Sequence, residues 1–295
     1  AIHCGLVGSE MCIRDSCGCC GWRFVRRVTP LPGGFSVTHF ESAGSTNDLA
    51  KVACKDAYAV DGTVYWTGDQ TAGRGTHGRV WTAPAGNLAV SIVKRPRIAM
   101  RFAPQAGIVT AVAVADALVS LGFDASRVGL KWPNDVLVDG KKICGILLEG
   151  AAAGPVVEWL VIGTGMNVKH HPPETRHPAT DMTEAGVPVS LEDALSAYLM
   201  SFKRWWGRWR RYDFQVVATA WAAKTVHKPG QTINVSEGGT RSDYIFKGMG
   251  SDGELVVADQ DGVEKFIVSG EIFAPDAICL LYTTPSPRDR KVSRM

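Results

Sequence analysis

The stretch DVLVDGKKICGILLE, residues 135–149, constrains the fold most tightly. Two apolar, β-rich runs meet at Asp139-Gly140, a residue pair that accepts the positive φ of a two-residue hairpin turn. VVEWLVIGTGMNV, residues 156–168, follows as a further core strand ending in a G-x-G turn. Upstream, SVTHFE (36–41), TVYWTGD (63–69) and NLAVSIVK (87–94) read as strands. GSTNDLAKVACKDA opens a helix, with Ser45 as its cap and Asp48 three residues on. Residues 104–121 form a second helix, with Pro104 near its start and Gly122 just past its end. That helix is apolar nearly all round, which predicts burial. Hairpins interleaved with helices predict an α+β fold, a mixed β-sheet backed by helices.

From Ser190 to about Lys224 the pattern is helical, with Leu191, Leu195, Tyr198, Phe202, Trp205, Trp209 and Tyr212 at three- and four-residue steps. Its KRWWGRWRRY admits a nucleic-acid reading, basic residues among aromatics. The core period of the aromatics favours an amphipathic helix with solvated arginines. After Pro229-Gly230, short strands split by Gly-Gly, Ser-Asp-Gly and Asp-Gly turns predict a small β-barrel.

Composition bounds the partners. The 295 residues are 45% hydrophobic and 21% charged, ordinary for a globular chain, and a net charge of +3 is too small to argue for nucleic acid. No unbroken apolar run reaches the roughly 18 residues of a membrane span. Five of the eight cysteines fall in the first twenty residues, and the scattered remainder reads as a reducing, cytoplasmic protein. Both ends lack periodicity. The expected layout is a leader at 1–30 and a tail at 276–295 outside the native fold, a catalytic domain at 31–224 and the barrel at 225–275.

QTAGRGTHGRVW, residues 70–81, contains G-x-G-x-x-G at Gly73, Gly75 and Gly78. A dinucleotide fingerprint needs a helix next and an acidic residue about twenty on. Here VWTAPAGNL follows, and the residue at that distance is Arg95. A kinase loop would need H-R-D and D-F-G, and neither occurs. What remains is a loop carrying Arg74, His77 and Arg79 among glycines, suited to a phosphate or carboxylate, with Trp81 as a flat face for a base.

KWPND (131–135) and K-x-x-G-I-L-x-E (142–149) narrow this further. With the glycine stretch, GSTN (44–47) and GTGMN (163–167), they make five ordered motifs, and the chain from about Phe35 to Phe273 resembles the biotin–protein ligases, of the type without a DNA-binding domain. The resemblance implies a catalytic domain of the class II aminoacyl-tRNA synthetase-like kind, as in biotin–lipoate ligases, with a small C-terminal SH3-like β-barrel. It implies activation of biotin by Mg-ATP to biotinyl-AMP, then transfer to a lysine of a biotin carboxyl carrier domain. A homodimer is compatible; nucleic acid and membrane are not expected partners. A lipoate–protein ligase and a truncated biotin-sensing repressor are the alternatives.

Carried over by motif, Ser45, Thr46 and Gln70 would hydrogen-bond the ureido head of biotin. Arg74 would border it, with Gly73, Gly145, Leu147 and Gly163 lining the site. Lys142 is the expected catalytic cation, with Arg74 and Lys131 beside it. Arg79, Trp81, Lys131, Asn134, Asp135 and Asn167 would hold ATP, with Mg²⁺ arriving on ATP near Asp135 or Asn167. Asp135 could instead merely open the hairpin, Trp132 and Pro133 read as packing, Lys141 as solvated, Cys144 as core, and His170 and His171 as loop residues. Thr76 departs from the basic residue usual in the family, which predicts a leakier adenylate unless His77 or Arg79 compensates.

Overall fold

The computed structural model describes residues 28–31 and 34–273, apart from 174, 176 and 239. The leader's first 27 residues and the tail lie outside the described residues. The chain divides into two units: Ala1–Val226 with Ser251–Gly253, and His227–Gly250 with Glu254–Met295.

The first unit is built on eight strands: β1 (Val28–Leu31), β2 (Phe35–Phe40), β3 (Thr63–Thr67), β4 (Leu88–Lys94), β5 (Val128–Lys131), β6 (Asp135–Val138), β7 (Lys141–Ala153) and β8 (Val156–Met166). Their order in the sheet is β1-β2-β3-β4-β8-β7-β6-β5. Only the β2–β3 pair is parallel, because helix α1 (Thr46–Lys55) crosses between them. The remaining neighbours are antiparallel. The Asp139-Gly140 hairpin forms as read, both residues at positive φ. Two strands had no signal in the sequence: β5, and β1, which begins the sheet inside the segment set aside as leader.

Pairing sorts the central residues onto two faces. Val93 and Val161 meet Ala50 and Cys54 of α1 on one. On the other, the Tyr198 hydroxyl of α3 (Leu191–Tyr212) lies 2.9 Å from Thr164 Oγ1. There too Gly107 of α2 (Gln105–Ser120) packs against Leu148. All α2 residues from Gln105 to Ala115 are buried, as its all-round apolarity predicts. With its short 3-10 start, Met100–Ser120 is long and apolar enough to span a membrane by length and composition, and most of its apolar window is buried.

The long helical pattern is two helices, α3 and α4 (Gln215–Ala222), broken at Asp213, whose φ of 88° no helix accommodates. Trp205 and Trp209 are buried, their Nε1 atoms each donating over 2.8 Å to Asp116 and Gln105, while Lys203, Arg204, Arg208 and Arg210 are exposed. Tyr212 breaks the expected period: it is 59% exposed because the last turn of α3 runs off the core.

The second unit is a five-stranded antiparallel sheet, β9 (Thr232–Glu237), β10 (Thr240–Met249), β11 (Leu255–Ala258), β12 (Glu264–Ile267) and β13 (Glu271–Phe273), ordered β12-β11-β10-β9-β13. Alternate residues Ile233, Val235, Tyr244, Phe246, Leu255 and Val257 are buried, the period-2 pattern of a small SH3-like domain.

Candidate functional site

The site begins with side chains that are missing. Across three strands Gly145, Gly165 and Ala89 are direct partners, so they share one face and leave a bare row in the sheet. The row continues to Asp135, opposite Gly145, and to Lys131, opposite Asp135. The indole of Trp81 lies on this floor. A Cβ built on Gly165 would stand 2.5 Å from Trp81 Cε2, and one on Gly145 would stand 3.0 Å from its Cζ3.

A β-bulge delivers Lys142 to the same floor. Residues three apart on a regular strand point to opposite faces. Between β6 and β7 the register slips: Val136 pairs with Cys144 but Leu137 pairs with Lys142, so Ile143 is extra. Lys142 therefore shares the face of Gly145. Its Nζ lies 2.5 Å from Asp135 Oδ1 and 5.4 Å from the Trp81 ring centroid. Its backbone is held too: Lys142 N donates to Pro178 O at 2.7 Å and accepts at its carbonyl from Thr180 N at 3.0 Å.

The glycine stretch folds as a small hairpin. Gly75 N donates to Arg79 O at 2.7 Å and Trp81 N to Gly73 O at 3.0 Å, with a 3-10 turn at Thr76–Gly78. Gly78 sits at φ 71°, where glycine is free of the Cβ penalty. Arg79 turns back on the tip, Nε donating to Thr76 O at 3.2 Å and Nη2 to Thr76 Oγ1 at 3.3 Å. Thr71 N and Ala72 N donate to Ala43 O and Gly44 O, tying the loop to the entry of α1. A Cβ on Gly73 would fall within 2.4 Å of the Trp81 backbone oxygen, and 2.8 Å of Gln70 Nε2, so the chain can pass there only as glycine.

At the α1 entry, Ser45 Oγ accepts from Asp48 N as the cap. Thr46 donates to Gln70 Oε1 from its backbone N at 3.0 Å, and its Oγ1 lies 3.2 Å from the same oxygen. Ser91 Oγ, on β4, lies 2.8 Å from Thr46 Oγ1 and 2.5 Å from Asn47 Oδ1. Asn47 Nδ2 donates to Glu149 Oε2 at 2.8 Å. The Asn47 side chain fills the space that a side chain on Gly163 would take. Lys51 Nζ donates to Glu149 Oε1 at 2.5 Å, and Arg74 pairs bidentately with Asp48 at 2.5 and 2.6 Å. The Arg74 hydrogen bond, with Lys51 assisting, holds the Asp48 carboxyl at about 2. Burial raises the Glu149 carboxyl, but hydrogen bonds from Lys51 and Asn47 and the nearby Lys51 and Arg74 charges bring it below its ordinary value.

The other expected residues are placed as follows. Leu147 is half-buried opposite Gly163. Asn134 Nδ2 donates to Ile146 O at 2.9 Å, and Asn167, 2% exposed, donates from Nδ2 to Thr180 O at 3.0 Å. Trp132 and Cys144 are buried, and burial pushes the Cys144 thiol well up. Lys141 is exposed, as read, and its Nζ lies 2.9 Å from Glu184; Glu184 and Asp181 also take the two ring nitrogens of His171, at 3.2 and 2.7 Å. Opposite ring nitrogens meet opposite carboxylates, the geometry of a strut. Asn47, Asp48, Ser91 and Glu149 were missed as site residues; Asn47 and Glu149 stood in plain view inside the quoted motifs. Asn87 was missed as well: its Oδ1 accepts from the backbone N–H of Val168, Lys169 and His170, fixing the turn after β8.

The model of the biotin/lipoate A/B protein ligase family matches residues 40–167. A biotin–[acetyl-CoA-carboxylase] ligase of Paracoccus denitrificans is 36% identical over 211 residues, 70% of this chain and 87% of that protein. The bifunctional ligase/repressor BirA of Bacillus spizizenii is 31% identical over 72% of this chain, which spans 66% of that longer protein. Among solved structures, a biotin protein ligase from Aquifex aeolicus in complex with biotin and ATP is similar in fold at a TM-score of 0.68 and 24% identity, covering 80% of this chain and 97% of that one. One from Leishmania major in complex with biotinyl-5-AMP gives 0.56 at 26% identity, covering 79% and 98%.

Proposed function

The chain belongs to the biotin–[acetyl-CoA-carboxylase] ligase family, and from that membership we propose that its glycine-floored site activates biotin with ATP and passes it to the carrier domain of a biotin-dependent carboxylase. The reaction is an ATP-dependent ligation. A carboxylate oxygen of biotin bonds to the α-phosphorus and pyrophosphate leaves. An acceptor lysine nitrogen then bonds to the acyl carbon and AMP leaves.

One observation carries the assignment of the residues: the bulge sets Lys142 beside the Gly145–Gly165 floor with Asp135 as its partner. Two anions must meet in the first step, and a fixed cation between them offsets their repulsion and the charge growing on phosphorus. Lys142 takes that role, with Lys131 along the same row. Gly145 and Gly165 let a flat group approach the sheet, and Trp81 is the face on which adenine stacks once it lifts from the floor. Ser45, Thr46 and Gln70 hold the ureido head at the α1 entry. Arg74, kept by Asp48, borders biotin.

Mg²⁺ enters with the nucleotide. A hard cation wants about six oxygens. Of the two expected contacts, Asp135 is neutralised by Lys142, and Asn167 is buried with its Oδ1 lacking a hydrogen-bond partner. That donor set suits an ion carried mainly by phosphate and water.

The test is streptavidin detection of a carboxyl carrier domain after incubation with biotin and Mg-ATP. Lys142→Ala should lower the adenylation rate by about 10²-fold or more while biotin binding is partly kept. An intact chain that never labels the carrier domain sinks the assignment.

A further inference from the structure

We propose that His171 is a positioning residue for the first step: as an imidazolium bridging Asp181 and Glu184 it latches the segment that holds Lys142, and loss of its proton loosens that hold. The proposal rests on the reading that Lys142 is the cation of that step.

Lys142 is held at its backbone by a later part of the chain. Pro178 O accepts from its N–H at 2.7 Å, and Thr180 N donates to its carbonyl at 3.0 Å. Both holding residues lie between His171 and Asp181. The contact of His171 Nδ1 with Asp181 Oδ2, at 2.7 Å, ties the two ends of that segment together. Beside it, Met182 N and Thr183 N donate to Asn167 O and Val168 O at 3.2 and 3.3 Å, so the chain before the ring and the chain after it run side by side. Parting the two passes shifts residues 178 and 180, and Lys142 with them.

The proton count of the ring decides whether the tie holds. A neutral imidazole carries one N–H and an imidazolium two. Nδ1 meets Asp181, and Nε2 stands 3.2 Å from Glu184 Oε2, so each nitrogen faces a carboxylate oxygen. Once the ring is discharged, one nitrogen turns a lone pair on an oxygen that only accepts. Burial raises the Asp181 carboxyl, but hydrogen bonds from the Glu184 backbone and His171, with the His171 charge, bring it below its ordinary value. Glu184 also keeps Lys141 Nζ at 2.9 Å. Among the described residues these are the charged groups around the ring: Asp181 and Glu184 after it, and Lys141 of β7 behind Glu184. With the imidazolium, two cations meet two anions; without it, a negative charge is left over. His171 is half-buried, within reach of solvent for its proton. The latch is complete at low pH and fades as pH rises through the range in which histidine changes charge.

The experiment is the pH profile of pyrophosphate release at saturating biotin and ATP, from pH 6 to pH 8. Glu184→Gln offers the discharged ring a donor. Its kcat should match the wild type within about twofold at pH 6 and exceed it about fivefold at pH 8, the worth of one hydrogen bond at a partly exposed site. His171→Gln has no proton to lose, so its kcat should lie about fivefold below the wild type at pH 6 and draw level by pH 8. KM for biotin should stay within about twofold throughout, because the α1 entry is untouched. A merely structural defect lowers the rate by one factor at every pH. Should His171→Gln not fold, Glu184→Gln decides alone. Parallel profiles for the wild type and the folded variants overturn the latch. Lys142→Ala separates the failures: a wild-type rate there overturns the reading of Lys142 beneath the latch, whereas a lost rate beside parallel profiles overturns the latch only.

Discussion

Alanine at Gly165 should cost more than alanine at Gly145, and the difference can be worked from the floor. Carbon atoms rest about 3.5–4.0 Å apart. A Cβ on Gly165 would stand 2.5 Å from Trp81 Cε2 and Nε1, so the indole must retreat by roughly 1 Å. On Gly145 the nearest ring atom is at 3.0 Å and the Lys142 side chain at 3.3 Å, so about half that movement suffices. Neither glycine has positive φ, which leaves backbone strain out of the comparison. Lifting one indole face exposes on the order of 60–80 Å² of apolar surface, about 1.5–2 kcal/mol at 25 cal/mol per Å². Gly165→Ala should therefore destabilise by about 2 kcal/mol, and Gly145→Ala by about 1 kcal/mol. Urea denaturation measures both. The smaller ring in Trp81→Phe should recover roughly half the Gly165→Ala loss in the double variant. Because a Cβ at either position also narrows the floor that a flat ligand group must approach, KM for ATP in pyrophosphate release should rise in the same order. A Gly145→Ala cost equal to or above that of Gly165→Ala would refute the placement of Trp81 on the floor.

Other parts of the molecule make separate predictions. Asp48 is held at about 2, below its ordinary 3.8, chiefly by Arg74, so its contribution is present above about pH 4 and is lost as pH falls toward 2. Urea midpoints at pH 5 and pH 3 should fall less steeply in Arg74→Ala than in the wild type, by a modest amount since the pair is partly exposed. Asn87→Ala strips three backbone N–H groups of their acceptor and should cost about 3 kcal/mol in denaturant unfolding, whereas Lys169→Ala should be near neutral. Thr76→Arg adds a cation at the loop tip where Arg79 now folds back, and should slow nonspecific lysine labelling by released biotinyl-AMP; labelling as fast as the wild type would remove Thr76 as a cause of leakage.

The elements that position the site were legible where local chemistry decides them. Asp139-Gly140 dictated a hairpin, Ser45 a cap, and the apolar wrap of α2 a buried helix. The residues missed act through partners far away in sequence. Glu149 meets Asn47 and Lys51 across 102 and 98 residues, and no local period announces such a pair. The bulge at Ile143 was invisible for another reason: alternation counted along KKICG sends Lys142 and Gly145 to opposite faces, and only the pairing with β6 reveals the extra residue. The break at Asp213 was hidden because apolar spacing continues across it into Phe214, Val217 and Trp221. In the strut, Lys141, read as solvated, and His171, read as a loop residue, meet Glu184 and Asp181, which no local pattern links to them.

Lys142 spends both its backbone groups on residues 178–180 and its side chain on Asp135. Its amide hydrogen can therefore exchange with deuterium from solvent only when that segment peels away from β7. The same peeling frees the lysine whose charge the first chemical step is assigned. The exchange rate of a single proton thus becomes a clock for how often the ligand-free site falls out of working order, readable without substrate and without turnover.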